Sequence, residues 1–144
     1  MSILYRSNIM IDLNYYPHYS SGILAFDLHK HNSKVFEPWW GFVLCDPGII
    51  DFYSWLSHKW GKPLMRSTLW GPHISWVKGE EPADKSLWGK RRKINFRYSN
   101  TIRYDNQLHA WLDVWCPELH ELRAEMGLAK KKHYNFHITL GRLK

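Results

Sequence analysis

The chain has 144 residues, 44% of them hydrophobic and 16% aromatic, with 20 Lys and Arg against 13 Asp and Glu for a formal net charge of +7. That length suits one domain over 1–144, the composition excludes a disordered chain, and no run of ~18 apolar residues is present to cross a membrane as a helix. The basic balance points to polyanionic partners, and Cys45 and Cys116 lack both CxxC and zinc-ligand spacing.

Met1 to Arg6 lack the charged start and long apolar run of a signal peptide, so a reducing cytoplasm is the expected compartment. Ile9 to Leu13 predicts a short strand, Tyr15-Tyr16-Pro17 a turn, Gly22 to Leu28 a strand, and His29 to Pro38 a polar loop. Trp39 to Cys45 reads as a buried strand. Asp46 and Pro47 then suit the N-cap and first position of a helix running to about Trp60, with Ile49, Phe52, Tyr53, Leu56 and Trp60 on one face. Gly61 is placed to end that helix, and a strand follows over His73 to Val77.

Ile94 to Tyr98 and Thr101 to Tyr104 predict a hairpin turning at Ser99-Asn100. Leu108 to Cys116 reads as a strand, Pro117 opens a helix with Leu119, Leu122 and Met126 at helical spacing, and Gly127 closes it. Tyr134 to Gly141 is the last strand. Two basic clusters, Lys90-Arg91-Arg92-Lys93 and Lys130-Lys131-Lys132-His133, each precede an apolar strand-like run.

A unit of strand, Cys, Pro-initiated helix, connector and His-bearing strand therefore occurs twice, over about 39–78 and 108–142. Each unit ends on the same pattern of His, apolar, hydroxyl, apolar: His73-Ile74-Ser75-Trp76 and His137-Ile138-Thr139-Leu140. Strand side chains alternate between faces, so each motif presents an imidazole and a hydroxyl together and sends its apolar residues the other way. His18-Tyr19-Ser20-Ser21 and His31-Asn32-Ser33-Lys34 share the triplet but lack the fourth apolar residue.

The pair resembles the signature of the 2H phosphoesterase superfamily, which contains LigT-like RNA ligases and 2′,3′-cyclic phosphodiesterases. Phe136-His137-Ile138-Thr139-Leu140-Gly141-Arg142 matches the second motif closely, and Pro72-His73-Ile74-Ser75-Trp76 matches the first with Ser for Thr. The resemblance runs from about Trp39 to the carboxyl terminus. It implies an α+β, bilobal, pseudo-two-fold fold: two antiparallel sheets flank a central cleft, with helices outside. It also implies a metal-independent phosphodiesterase that needs no cofactor, acting on a cyclic or short oligonucleotide. Small phage anti-CBASS-type members, which degrade a cyclic nucleotide messenger in the host cytoplasm, are similar in size. An RNA 2′,3′-cyclic or 2′-5′ phosphodiesterase is the second reading. A non-catalytic RNA-binding or nucleotide-sequestering module is the third.

The chemistry suits the residues. A 2′-hydroxyl attacking a neighbouring phosphorus needs one group to take its proton and another to protonate the leaving oxygen, and imidazoles do both near neutral pH. His73 and His137 are the expected catalytic pair. Ser75, Thr139, Arg142 and Lys132 are expected to hold phosphate oxygens. Trp39, Trp40, Trp70, Trp76 and Tyr134 are candidates for base stacking. No metal site is expected: His29-Lys30-His31 has no suitable carboxylates nearby, and His133 with His137 falls in a strand.

Overall fold

The computed structural model describes residues 3–6, 9–27, 38–65, 71–106, 108–129 and 136–144, with side chains described from residue 11 onward. In chain order the elements are β1 (Ile3–Arg6), β2 (Ile9–Asp12), β3 (His18–Phe26), β4 (Trp40–Leu44), α1 (Pro47–Lys59), β5 (Leu64–Met65), β6 (His73–Lys78), β7 (Lys93–Tyr98), β8 (Arg103–Tyr104), β9 (His109–Trp115), α2 (Pro117–Glu125) and β10 (Phe136–Leu143). The short connections explain most boundaries. The Asp46 side chain accepts from the Gly48 N–H to start α1, Pro47 occupies its first turn, and Gly61 takes φ +78° just beyond it. Pro117 likewise occupies the first turn of α2, which has no side-chain cap.

Both repeat units form as strand, helix and antiparallel strand: β4 pairs with β6, and β9 with β10. They do not build two separate sheets flanking a cleft. β10 bonds to β9 on one edge and to β6, then β5, on the other, while β3 joins β4 to β7 and β7 joins β9. The six strands β10, β6, β4, β3, β7 and β9 thereby close into an antiparallel barrel, mostly sheet, with two short helices. The bilobal two-sheet α+β expectation is therefore corrected. Its physical cause is that β6 and β10, the last strands of the two units, hydrogen-bond to each other and leave no edge between the units.

One face of this sheet is apolar throughout. Leu24, Val43, Ile74, Trp76, Ile94, Phe96, Leu112, Val114, Phe136, Ile138 and Leu140 join Ile49, Ile50 and Tyr53 of α1 and Leu119, Leu122 and Met126 next to or in α2 in a single core. The register keeps alternate residues in step across the strands: Leu24 faces Val43, Val43 faces Ile74, Ile74 faces Ile138, and Ile138 faces Leu112. Residues one step along each strand point to the opposite face, and that is where the histidine motifs lie.

Two local expectations also change. β7 and β8 do not pair with each other as a hairpin; each pairs with β9. Ser99 is buried and its N–H bonds to the Asp113 carbonyl, so the chain runs on along the same edge of β9 instead of turning back. On α1, Phe52 and Trp60 are 53% and 57% exposed, and Ile50 and Ser57 take the buried stripe with Ile49 and Tyr53. The predicted loop His29 to Pro38, apart from Pro38 itself, and the basic run Lys130 to His133 lie outside the described residues, whereas Lys90 to Lys93 are exposed. Among the described residues no helix is long and apolar enough to cross a membrane, which says nothing of strands.

Candidate functional site

The register that sets Ile138 opposite Ile74 fixes the site. One residue to either side of that pair, His73 and Ser75 of β6 and His137 and Thr139 of β10 alternate onto the face opposite the core. His73 and His137 thus take diagonal positions on adjacent strands, where Cα atoms typically stand about 7–8 Å apart. The two motifs, 64 positions apart by their numbers 73 and 137, converge because each is the closing strand of its unit.

The surroundings of the two rings differ. His73 is 8% exposed and stands edge-on to Phe42, with ring centroids 5.2 Å apart. Its Nδ1 lies 3.1 Å from the Gly71 carbonyl oxygen. A carbonyl oxygen only accepts, so Nδ1 carries the hydrogen and the neutral ring keeps its lone pair on Nε2. His137 is exposed and lies 6.2 Å from the Trp111 ring. Ser75 accepts a hydrogen bond from the Trp40 indole N–H at 3.1 Å. Because the indole only donates, this contact takes a lone pair of Ser75 and turns its O–H away from Trp40.

Beside His137 the structure builds a carboxylate centre that the sequence reading missed. Asp113 of β9 is the direct cross-strand partner of His137. Its Oδ2 accepts from the Tyr15 hydroxyl and from Arg103 at 2.9 Å, and its Oδ1 accepts from the Trp111 indole at 3.1 Å. Burial works against ionisation of Asp113, but the hydrogen bonds from Tyr15 and Arg103, the Arg103 charge and the Trp111 N–H outweigh it and hold the carboxyl below its ordinary range. Burial and then the Asp113 contact push Tyr15 up to about 12, and burial followed by the Asp113 charge raises Tyr16. The signal in the sequence was a lone acid inside the apolar run His109-Ala110-Trp111-Leu112-Asp113-Val114-Trp115.

The remaining predicted residues separate. Arg142 is exposed, pairs with His109, and shares the motif face near the far end of β10. Trp40 borders the site, in contact with Phe42 (4.6 Å) and Lys78 (5.0 Å). Trp39 lies beyond β4 against Trp88 and Lys85. Trp76, as a stacking residue, is corrected: it is 1% exposed and points into the core, because it sits an even number of positions from Ile74. Lys132, Trp70 and Tyr134 lie outside the described residues. Cys45 and Cys116 are free thiols, Cys116 buried, and burial raises the Cys45 thiol well above its ordinary value, which suits packing and not nucleophilic attack. Among the described residues no group of three or more His, Cys, Asp or Glu side chains gathers to hold a metal ion.

Compared with known proteins, the chain matches no family model, no curated protein and no solved structure.

Proposed function

We propose that the chain is a metal-independent phosphodiesterase in which His73 and His137 cleave a ribose-linked phosphodiester of a cyclic or short oligonucleotide, the chemistry that its 2H-like motifs imply. The observation that carries this is the pairing of Ile74 with Ile138, which gathers two imidazoles and two hydroxyls on one face of adjacent strands. The proposal rests on that constellation and not on the fold. Ser75 and Thr139 donate to the non-bridging oxygens as charge builds on phosphorus. Arg103 and Arg142, on the same face, favour an anionic ligand.

The test is turnover of a panel of cyclic di- and trinucleotides, 2′-5′ linked oligoadenylates and 2′,3′-cyclic mononucleotides in the presence of EDTA. Cleavage is expected to persist, and to fall by ~10²–10⁴ in both His73→Ala and His137→Ala. The product profile separates a messenger-degrading enzyme from one that opens RNA-end cyclic phosphates. Tight binding with intact ligand throughout would sink the catalytic reading and leave a sequestering module.

A further inference from the structure

The internal repeat gives each histidine strand a matching neighbour, and the two neighbours differ at one decisive position. In the first unit β4 sets Leu44, Val43 and Phe42 opposite His73, Ile74 and Ser75. In the second, β9 sets Asp113, Leu112 and Trp111 opposite His137, Ile138 and Thr139. The core positions correspond, Val43 with Leu112, and so do the aromatic positions, Phe42 with Trp111. Beside the imidazoles the correspondence breaks: His73 faces a leucine and His137 faces a carboxylate.

We propose that Asp113 is the positioning residue that orients His137 and stabilises its protonated form, making His137 the general acid and His73 the general base of strand cleavage. This rests on the phosphodiesterase reading above. Nε2 of His73 takes the proton of the attacking 2′-hydroxyl as the new O–P bond forms. The P–O bond to the 5′ oxygen breaks, and that oxygen takes the proton from His137. The products are a 2′,3′-cyclic phosphate and a 5′-hydroxyl, with His73 protonated and His137 neutral.

The geometry supports both halves. His73 sits among Phe42 and Leu44, where a neutral ring is favoured, and its Nδ1–H is committed to the Gly71 carbonyl, which leaves Nε2 as the basic atom. Asp113 has about four acceptor positions, and the three donors Tyr15, Arg103 and Trp111 take three of them. The groups around His137 are thus Asp113 and Trp111 on β9, Ser75 on β6, and Arg103, Tyr15 and Tyr16 around the Asp113 carboxylate. Arg103 offsets part of the Asp113 charge but is itself held on the Oδ2 side, whereas Trp111, whose ring lies 6.2 Å from that of His137, is on the Oδ1 side.

Histidine side-chain NMR reads the coupling without any substrate. In Asp113→Asn the titration midpoint of His137 is expected to fall by about one pH unit while that of His73 stays, and in Arg103→Met the His137 midpoint is expected to rise. Kinetics reads the roles. A ribonucleoside 3′-phosphodiester with a 4-nitrophenyl leaving group needs no general acid, so it should restore His137→Ala to within about ten-fold of the parent and leave His73→Ala inactive. A His137 midpoint unmoved in both folded variants overturns the positioning role. Equal losses in the two alanine variants on the activated substrate overturn the assignment of acid and base. If the parent chain turns over nothing, the phosphodiesterase reading fails, and with it the roles, while the NMR shifts still decide the coupling.

Discussion

Trp40 reaches Ser75 through its indole N–H. Its indole N–H fixes the Ser75 hydroxyl, and Ser75 is expected to act on charge that develops only in the transition state. Trp40→Phe keeps the ring and removes that donor, so kcat should fall about five-fold, the equivalent of ~1 kcal/mol for one neutral hydrogen bond, with KM unchanged. A rise in KM alone would mean the ring binds substrate directly. Ser75→Thr and Thr139→Ser should be nearly silent, whereas Ala at either lowers kcat more than it raises KM. A second position matters for shape. Gly141 follows the second motif at φ +154°, where the pairing of β10 with β9 slips by a residue, and a Cβ there would stand 2.3 Å from the Met65 carbonyl oxygen. Gly141→Ala should cost ~1–3 kcal/mol, seen as a lower urea midpoint with an unchanged slope. The motif residues were legible because alternation along a strand is a local property. Asp113 was not, because its donors Tyr15 and Arg103 reach it only through pairing of distant segments.

At the scale of elements, the repeated strand–helix–strand unit was readable from proline and glycine punctuation, and both helices start at the expected prolines. The buried face of α1 was not. Ser57 is fully buried because its hydroxyl donates to the Lys62 carbonyl and contacts the Tyr104 hydroxyl at 2.8 Å, so the helix turns that side inward and leaves Phe52 outside. No periodicity in the sequence carries that contact. A buried arginine joins the two units. Arg123, in the second unit's helix, donates to the Trp76 carbonyl of β6, to the Glu80 carboxylate and to the Ala129 carbonyl. It thus ties α2 to the strand that carries His73. Glu80→Ala strips the counter-charge from a nearly buried guanidinium. The expected loss is ~3 kcal/mol, the low end for a buried pair because Glu80 keeps some solvent contact. Chemical denaturation at low and high salt should give the same loss. A loss that vanishes in salt would place the pair on the surface instead.

At the scale of the whole molecule, nothing in either repeat announces that β6 and β10 will pair, since closure depends on contacts between residues more than sixty positions apart, such as Ile74 with Ile138. The closed ring is nevertheless held at several points by neutral tyrosines, and this gives the fold a pH limit. Tyr15 anchors the segment before β3 to Asp113 on β9, and Tyr53 packs α1 against Tyr98 of β7, with ring centroids 6.5 Å apart. Burial first, then neighbouring negative or ionisable groups, raises both Tyr15 and Tyr53 to about 12, and Tyr98 moves the same way. A phenol whose folded value is raised adds stability that is complete below its unfolded value near 10 and is lost as pH climbs toward about 12. Asp113 works with the opposite sign: its lowered value adds stability above the unfolded carboxyl range, lost as pH falls through the folded one. The last part of the phenolate absorbance and the far-ultraviolet circular dichroism, followed together as pH is raised from 10 to 12, should therefore change in one cooperative step, and Tyr53→Phe should move that step upward. Ionisation of all eight tyrosines while the sheet signal stays intact would show that these rings do not lock the barrel.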